Sequence, residues 1–119
     1  MKKTIVLGAS MKEERYSNQA IRMLREYGHE VVAHGLRKGQ VVDVAIETEV
    51  QPYNDIDTVS LYLNPQRQEE FYSYIIQLKP NRVIFNPGTE NPDFYKQLIK
   101  NNIGYEEACT LVLLRTNQF

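Results

Sequence analysis

The chain has 119 residues, a single cysteine and a formal net charge of −1 at neutral pH. That length suits one domain with a real core, residues 1–119, and leaves no room for a second catalytic domain beside a cofactor domain. The near-neutral balance with scattered Lys and Arg argues against a nucleic-acid partner, and one cysteine excludes an internal disulfide or a multi-cysteine zinc site.

Thr4 to Leu7 reads as a buried strand, followed by Gly8-Ala9-Ser10 and a polar run through Arg15 and Tyr16 to Ser17-Asn18. A short apolar run, a glycine turn and a helix start make the kind of unit that holds a phosphate. Gly8 permits a sharp turn, and the Ala9 and Ser10 amides with the Ser10 hydroxyl suit an anion. The G-x-G-x-x-G fingerprint is incomplete, since Ser10 and Glu13 stand where glycines belong, so the tripeptide alone also fits an ordinary turn. From about Ser17 to Tyr27, the spacing of Ala20, Ile21, Leu24 and Tyr27 predicts a crossover helix that Gly28 ends. His29 to His34 is the second strand, and Gly35-Leu36-Arg37-Lys38-Gly39 is a basic, flexible loop.

Val41 to Val50 predicts one or two short edge strands, broken at Gln51-Pro52. Thr58 to Leu63 is the third core strand, and Asn64-Pro65 leads into a helix from about Gln66 with Phe71, Ile75 and Leu78 as its core stripe. Lys79-Pro80-Asn81 closes that helix before the strand Arg82 to Phe85, and Asn86 to Thr89 is a turn. Asn91-Pro92-Asp93 starts a helix carrying Phe94, Leu98 and Ile99 inward, stopped by Asn102 or Gly104. A short strand from Gly104 to Glu106 and a final helix from Thr110 to Leu114 complete the chain.

The repeated β-α-β-α order predicts an α/β, three-layer Rossmann-like fold: a mainly parallel sheet of about five strands with helices on both faces. Such sheets bind ligands beyond their strand carboxyl ends. The loops Gly8 to Arg15, His34 to Gly39, Asn64-Pro65 and Asn86 to Thr89 would ring one crevice there. An NAD site places Asp or Glu at the second-strand exit, roughly twenty residues after the glycines. This chain has no carboxylate there and two cations, Arg37 and Lys38. A ribose phosphate fits better, as in NADP or the 3′-phosphoadenosine end of coenzyme A. Solvated loop charges are the plainer alternative.

Gly8-Ala9-Ser10, then Arg15-Tyr16-Ser17, the helix end Tyr27-Gly28-His29-Glu30-Val31, and the later Asn64-Pro65, Gly88 and Cys109 give the chain a likeness to a known family. It resembles the small stand-alone CoA-binding proteins over nearly its whole length. That family is similar to the CoA-binding Rossmann domain of the succinyl-CoA synthetase α subunit, without the partner domain that supplies the phosphorylated histidine. The resemblance implies a pyrophosphate against Gly8, Ala9 and Ser10, and phosphate contacts from Arg15 and Ser17 at the first helix. Many members end the second strand in an asparagine-proline pair lining the adenosine pocket. His34-Gly35 stands there in this chain, with Arg37 and Lys38 beyond it for phosphate. Asn64-Pro65, Asn86 and Gly88 match the later loops flanking the cleft.

No catalytic or metal constellation is visible: His29 and His34 lack a third ligand at zinc spacing. Cys109 follows Glu106 and Glu107, which disfavour a thiolate, so a buried structural thiol is expected, with a mixed disulfide to the coenzyme A thiol as its alternative. Three functions stay open: a non-catalytic module binding coenzyme A or a short acyl-CoA, an NADP-dependent oxidoreductase, and an interaction protein with a vestigial nucleotide pocket. The first is preferred, because one small domain leaves no evident substrate half for a reductase. With no apolar run of membrane-spanning length and no signal-peptide pattern, the expectation is a cytoplasmic protein without membrane contact. Its partner is a small-molecule nucleotide, and exposed apolar edge residues leave a homodimer open.

Overall fold

The computed structural model describes all residues from Met1 to Phe119. Strands β1 (Thr4–Ala9), β2 (Val31–Gly35), β3 (Gly39–Val41), β4 (Val44–Glu47), β5 (Thr58–Leu61), β6 (Arg82–Phe85) and β7 (Gly104–Glu107) form one sheet. Its spatial order is β3-β4-β2-β1-β5-β6-β7. Every neighbouring pair is parallel except the β3–β4 hairpin. The sheet has seven strands rather than about five. The two further strands are the β3–β4 hairpin at one edge: β4 falls within the Val41–Val50 region, and β3 begins at Gly39, at the end of the expected flexible loop. At three and four residues, these edge strands are too short to carry a distinct periodicity in the sequence.

Helices α1 (Tyr16–Glu26), α2 (Pro65–Gln68), α3 (Tyr72–Leu78), α4 (Pro92–Lys100) and α5 (Thr110–Arg115) cover the two faces. Alternation along β1 sorts its side chains. Ile5 and Leu7 join Val59, Leu61, Val83 and Phe85 under Phe71, Ile75, Phe94 and Leu98. Val6 and Ala9 join Ala33 and Ile46 under Ile21, Leu24 and Leu114. This three-layer arrangement is Rossmann-like, with right-handed logic placing the helices where the crossovers must run.

Several boundaries differ for local reasons. The α1 stripe is Ser17, Ala20, Ile21 and Leu24 with Asn18, whereas Tyr27 has left the helix as its cap and is half exposed. Gly28, at φ +84°, then turns the chain as expected. In α4, Tyr95 takes the inward place with Phe94 and Leu98, while Ile99 is 62% exposed. The helix expected from Gln66 is broken into α2, a 3-10 turn at Glu69–Phe71, and α3. Phe71 and Ile75, four residues apart, both face the core as expected, and Leu78 is half-buried. No helix is long and apolar enough to cross a membrane.

Candidate functional site

The strand β1 does not stop before its glycine. Gly8 lies within it at φ +96°, and the pairing to β2 shifts register between Leu7 and Ala9. A Cβ on Gly8 would lie 3.0 Å from the Tyr62 carbonyl carbon, so glycine is required both by its backbone angle and by the close passage of the β5 exit. Beyond it, the Lys12 amide donates to the Ser10 hydroxyl at 3.1 Å, and the Asn18 side-chain amide donates to the Ser10 carbonyl at 2.9 Å. Asn18 is fully buried and accepts in turn from Arg22 Nε at 2.8 Å. The loop is therefore held from inside α1, leaving the Ser10 hydroxyl hydrogen free to donate outward.

Helix α1 begins without a cap. Arg15 occupies the N-cap with extended backbone, makes no capping bond from its side chain, and no acidic residue sits in the first turn. Asn18 and Gln19 both donate to the Arg15 carbonyl, at 3.1 and 3.2 Å, so the Tyr16 and Ser17 amides are the ones left with neither a backbone acceptor nor a capping oxygen, an arrangement that favours an anion.

In front of this helix end is a cleft of about 640 Å³ over the carboxyl ends of β1, β2 and β5. It brings together Gly8, Ala9, Ser10, Arg15 and Ser17 from the first loop with His34, Gly35 and Arg37 from the second-strand exit. Tyr62, Leu63 and Phe71 form its apolar wall, and Met11 and Leu36 flank its mouth. Four cations, Lys12, Arg15, Arg37 and Arg67, line it, and no Asp or Glu does. None of the four makes an ion pair elsewhere in the chain. Unpaired cations gathered around an open helix start, in a chain whose net charge is −1, concentrate positive potential at one place.

A family model described as a CoA binding domain matches residues 2–115. The chain belongs to that CoA-binding domain family. No curated protein gives a match. Among solved structures, an uncharacterized protein is 45% identical with a TM-score of 0.97, over 100% of this chain and 98% of its own. A cell-free-expressed protein from Thermus thermophilus is 22% identical with a TM-score of 0.82, over 99% of this chain and 90% of its own. The dinucleotide-forming acetyl-coenzyme A synthetase 1 of Ca. Korarchaeum cryptofilum, solved with phosphate and ADP, is 13% identical with a TM-score of 0.71. That match covers 90% of this chain and 25% of the synthetase, and at such identity it shows the shared fold.

In this CoA-binding domain, five of the expected site residues stand apart from the cleft lining. Lys38 lies one residue past Arg37 and does not reach it. Asn64 caps α2, accepting from the Arg67 amide at 2.9 Å, and Pro65 fills the first helical position. The Asn86 side chain is spent internally: its amide donates to Ser60 Oγ at 3.0 Å and to the Leu61 carbonyl at 2.8 Å, while its oxygen accepts from the Thr110 amide at 2.9 Å. Gly88 is exposed at φ +93°, its amide bound to the Glu90 carboxylate at 2.9 Å. From that loop, Pro87 reaches the cleft instead.

Sequence reasoning passed over Arg67, Lys12 and Asn18. Lys12 sat in the right loop and was readable by position, but Arg67 enters from a helix that carries no ligand motif. Asn18 could be found only through its partner, the Ser10 carbonyl. Tyr62 has its hydroxyl buried near Thr110 and Ser60 without hydrogen-bond geometry to either, and burial pushes the phenol up to about 12. It is therefore a neutral wall. His34 pairs its Nε2 with the Thr48 carbonyl at 2.9 Å and packs edge-on to Phe71. Cys109, half-buried at the start of α5, lies outside the cleft lining.

Proposed function

We propose that the protein binds coenzyme A, or a short acyl-CoA, as a non-catalytic carrier or sensing module. The observation that carries this reading is the acid-free cleft with Lys12, Arg15, Arg37 and Arg67 gathered at the uncapped start of α1. A pyrophosphate placed against Gly8, Ala9 and Ser10 accepts from the loop amides and the Ser10 hydroxyl, with Lys12 and Arg15 flanking it. Two further cations, Arg37 at the second-strand exit and Arg67 from α2, suit a ligand that carries more charge than a pyrophosphate, as coenzyme A does in its 3′-phosphate. Membership of the CoA-binding family supports coenzyme A over NADP, which presents a similar ribose phosphate.

Calorimetric titration with coenzyme A, dephospho-CoA, NADP and NAD side by side tests the proposal. The expected order puts coenzyme A first and dephospho-CoA well behind it. If NADP binds tightest the oxidoreductase reading replaces this one, and if nothing binds the cleft is vestigial. Ser10→Asp supplies the site control. Aspartate still offers an oxygen to the Lys12 amide, so the loop survives, but its charge faces phosphate and should weaken coenzyme A on the order of a hundredfold. Unchanged affinity would place the ligand elsewhere.

A further inference from the structure

A second recess of about 360 Å³ opens beside the main cleft, beyond the β2 and β4 exits. The two share a boundary made by His34, Gly35, Leu36, Arg67 and Phe71. Arg67 is the one cation on that boundary, since Lys12, Arg15 and Arg37 line the main cleft alone. The second recess offers Leu36, Val50, Phe71 and Tyr74 as its apolar and aromatic surfaces, beside the polar Thr48 and Glu70. It suits a flat ring, and the main cleft suits a diphosphate.

We infer that Arg67 is the specificity-determining residue that reads the phosphate on the ribose of the bound nucleotide. This rests on the coenzyme A reading above. In an adenosine diphosphate unit, the ribose lies between base and diphosphate. With the diphosphate at the start of α1 and the base in the second recess, the ribose falls at the shared boundary, and a phosphate on it meets Arg67. The residue is prepared for that contact. Its amide is fixed by the Asn64 cap, its side chain is half-buried, and no carboxylate claims its guanidinium, Glu70 on the same recess included. All five of its N–H donors stay available, in the planar fork that matches phosphate oxygens. Arg37, exposed on a loop, is a weaker second contact because water screens it.

The test titrates wild type, R67Q, R67K and the double variant R37A/K38A with coenzyme A and dephospho-CoA, with thermal unfolding of each as a folding control. Wild type binds coenzyme A tighter than dephospho-CoA. R67Q should weaken coenzyme A on the order of thirtyfold, the worth of one charge-assisted phosphate contact, and dephospho-CoA by less than about threefold. R67K keeps the charge without the fork and should lower the ratio of the two affinities by about fivefold. R37A/K38A should lower it less than R67Q does. Equal weakening of both ligands by R67Q would assign Arg67 to the pyrophosphate and overturn the inference while the coenzyme A site stands. An unchanged ratio in R67K would overturn it even where R67Q fails to fold. A wild type that binds no coenzyme A removes the site reading itself, and the inference with it.

Discussion

Gly35 closes β2 where it passes β1, and a Cβ there would overlap the Ala9 carbonyl oxygen and lie 3.1 Å from Ile46 Cγ2. The obstacle is backbone, so it yields only if β1 and β2 part. Gly35→Ala should therefore cost roughly 1 to 3 kcal/mol of stability, read as a lower urea midpoint at unchanged slope. Gly88→Ala makes the contrast: its φ of +93° is unfavourable for alanine, but nothing lies within 4 Å of the added carbon. It should cost only about 1 kcal/mol. A Gly35→Ala protein as stable as wild type would show that the β1–β2 crossing has slack. At this scale the sequence was readable in kind more than in reason. Gly8 reads from the sequence as a glycine that permits a sharp turn after a buried strand, and what makes it obligatory is partly the Tyr62 backbone, distant in the chain. Gly35 reads from the sequence as part of a ligand loop, whereas its steric constraint is a strand crossing that no local pattern records. Arg67 was invisible because nothing in Pro65-Gln66-Arg67-Gln68 distinguishes a cleft cation from a surface one.

The short helix α5 shows how one side chain locks an element. Asn86, leaving β6, binds Ser60 and Leu61 of β5 through its amide and the Thr110 amide of α5 through its oxygen. The Thr110 amide can only donate, which fixes the orientation of the Asn86 group. Thr110 closes the circuit with a hydroxyl contact to Ser60 at 2.8 Å, and Leu114 then packs against α1's side of the core. Asn86→Asp keeps the shape but removes both donors and buries an ionisable group, which should destabilise the fold by about 2 to 4 kcal/mol. Coenzyme A affinity of the folded fraction should change little, since Asn86 does not line the cleft. A large loss of affinity without loss of stability would instead make it a ligand contact. Elements with a buried periodic stripe were legible: β6 was placed at Arg82–Phe85 and α4 at its Asn91 cap, where the side chain accepts from the Phe94 amide at 3.2 Å. Elements defined by their neighbours were less so. The 3-10 turn at Glu69–Phe71 has no marker in Glu69-Glu70-Phe71, and the β3–β4 hairpin turns at two residues whose Asp43 is gripped by Arg25 at 2.7 and 2.9 Å.

Across the whole molecule, the cleft at the carboxyl ends of the strands is balanced by a cationic staple at their amino ends. His29 precedes β2, and its Nδ1 accepts from the Lys2 amide at 3.0 Å while its ring packs on Phe119 with centroids 4.9 Å apart. Arg82, opening β6, lies over the same Phe119 ring at 4.4 Å, and Lys2 Nζ donates to the Phe119 backbone oxygen at 2.7 Å. Burial first, then the N-terminal amine, Lys2 and Arg82, hold the imidazole below its ordinary value, with Asp57 opposing them weakly. Protonation would break the bond from the Lys2 amide and add a cation among cations. The unfolded chain takes up this proton at about 6.5 and the folded one only at lower pH, so unfolding gains protons across that window. Stability from neutral His29 is thus whole above about pH 6.5 and is lost as the pH falls toward the depressed folded value. Thermal unfolding of wild type from about pH 7.5 to about pH 5 should fall more steeply than that of His29→Asn, whose Oδ1 can still accept from the Lys2 amide without titrating. Every other ionisable side chain is the same in the two proteins, so the difference between the two curves isolates His29. Superimposable curves would assign the acid loss to other groups. Because the staple and the cleft occupy opposite ends of the strands, His29→Asn should bind coenzyme A as wild type does at neutral pH, which separates what holds this sheet together from what it holds.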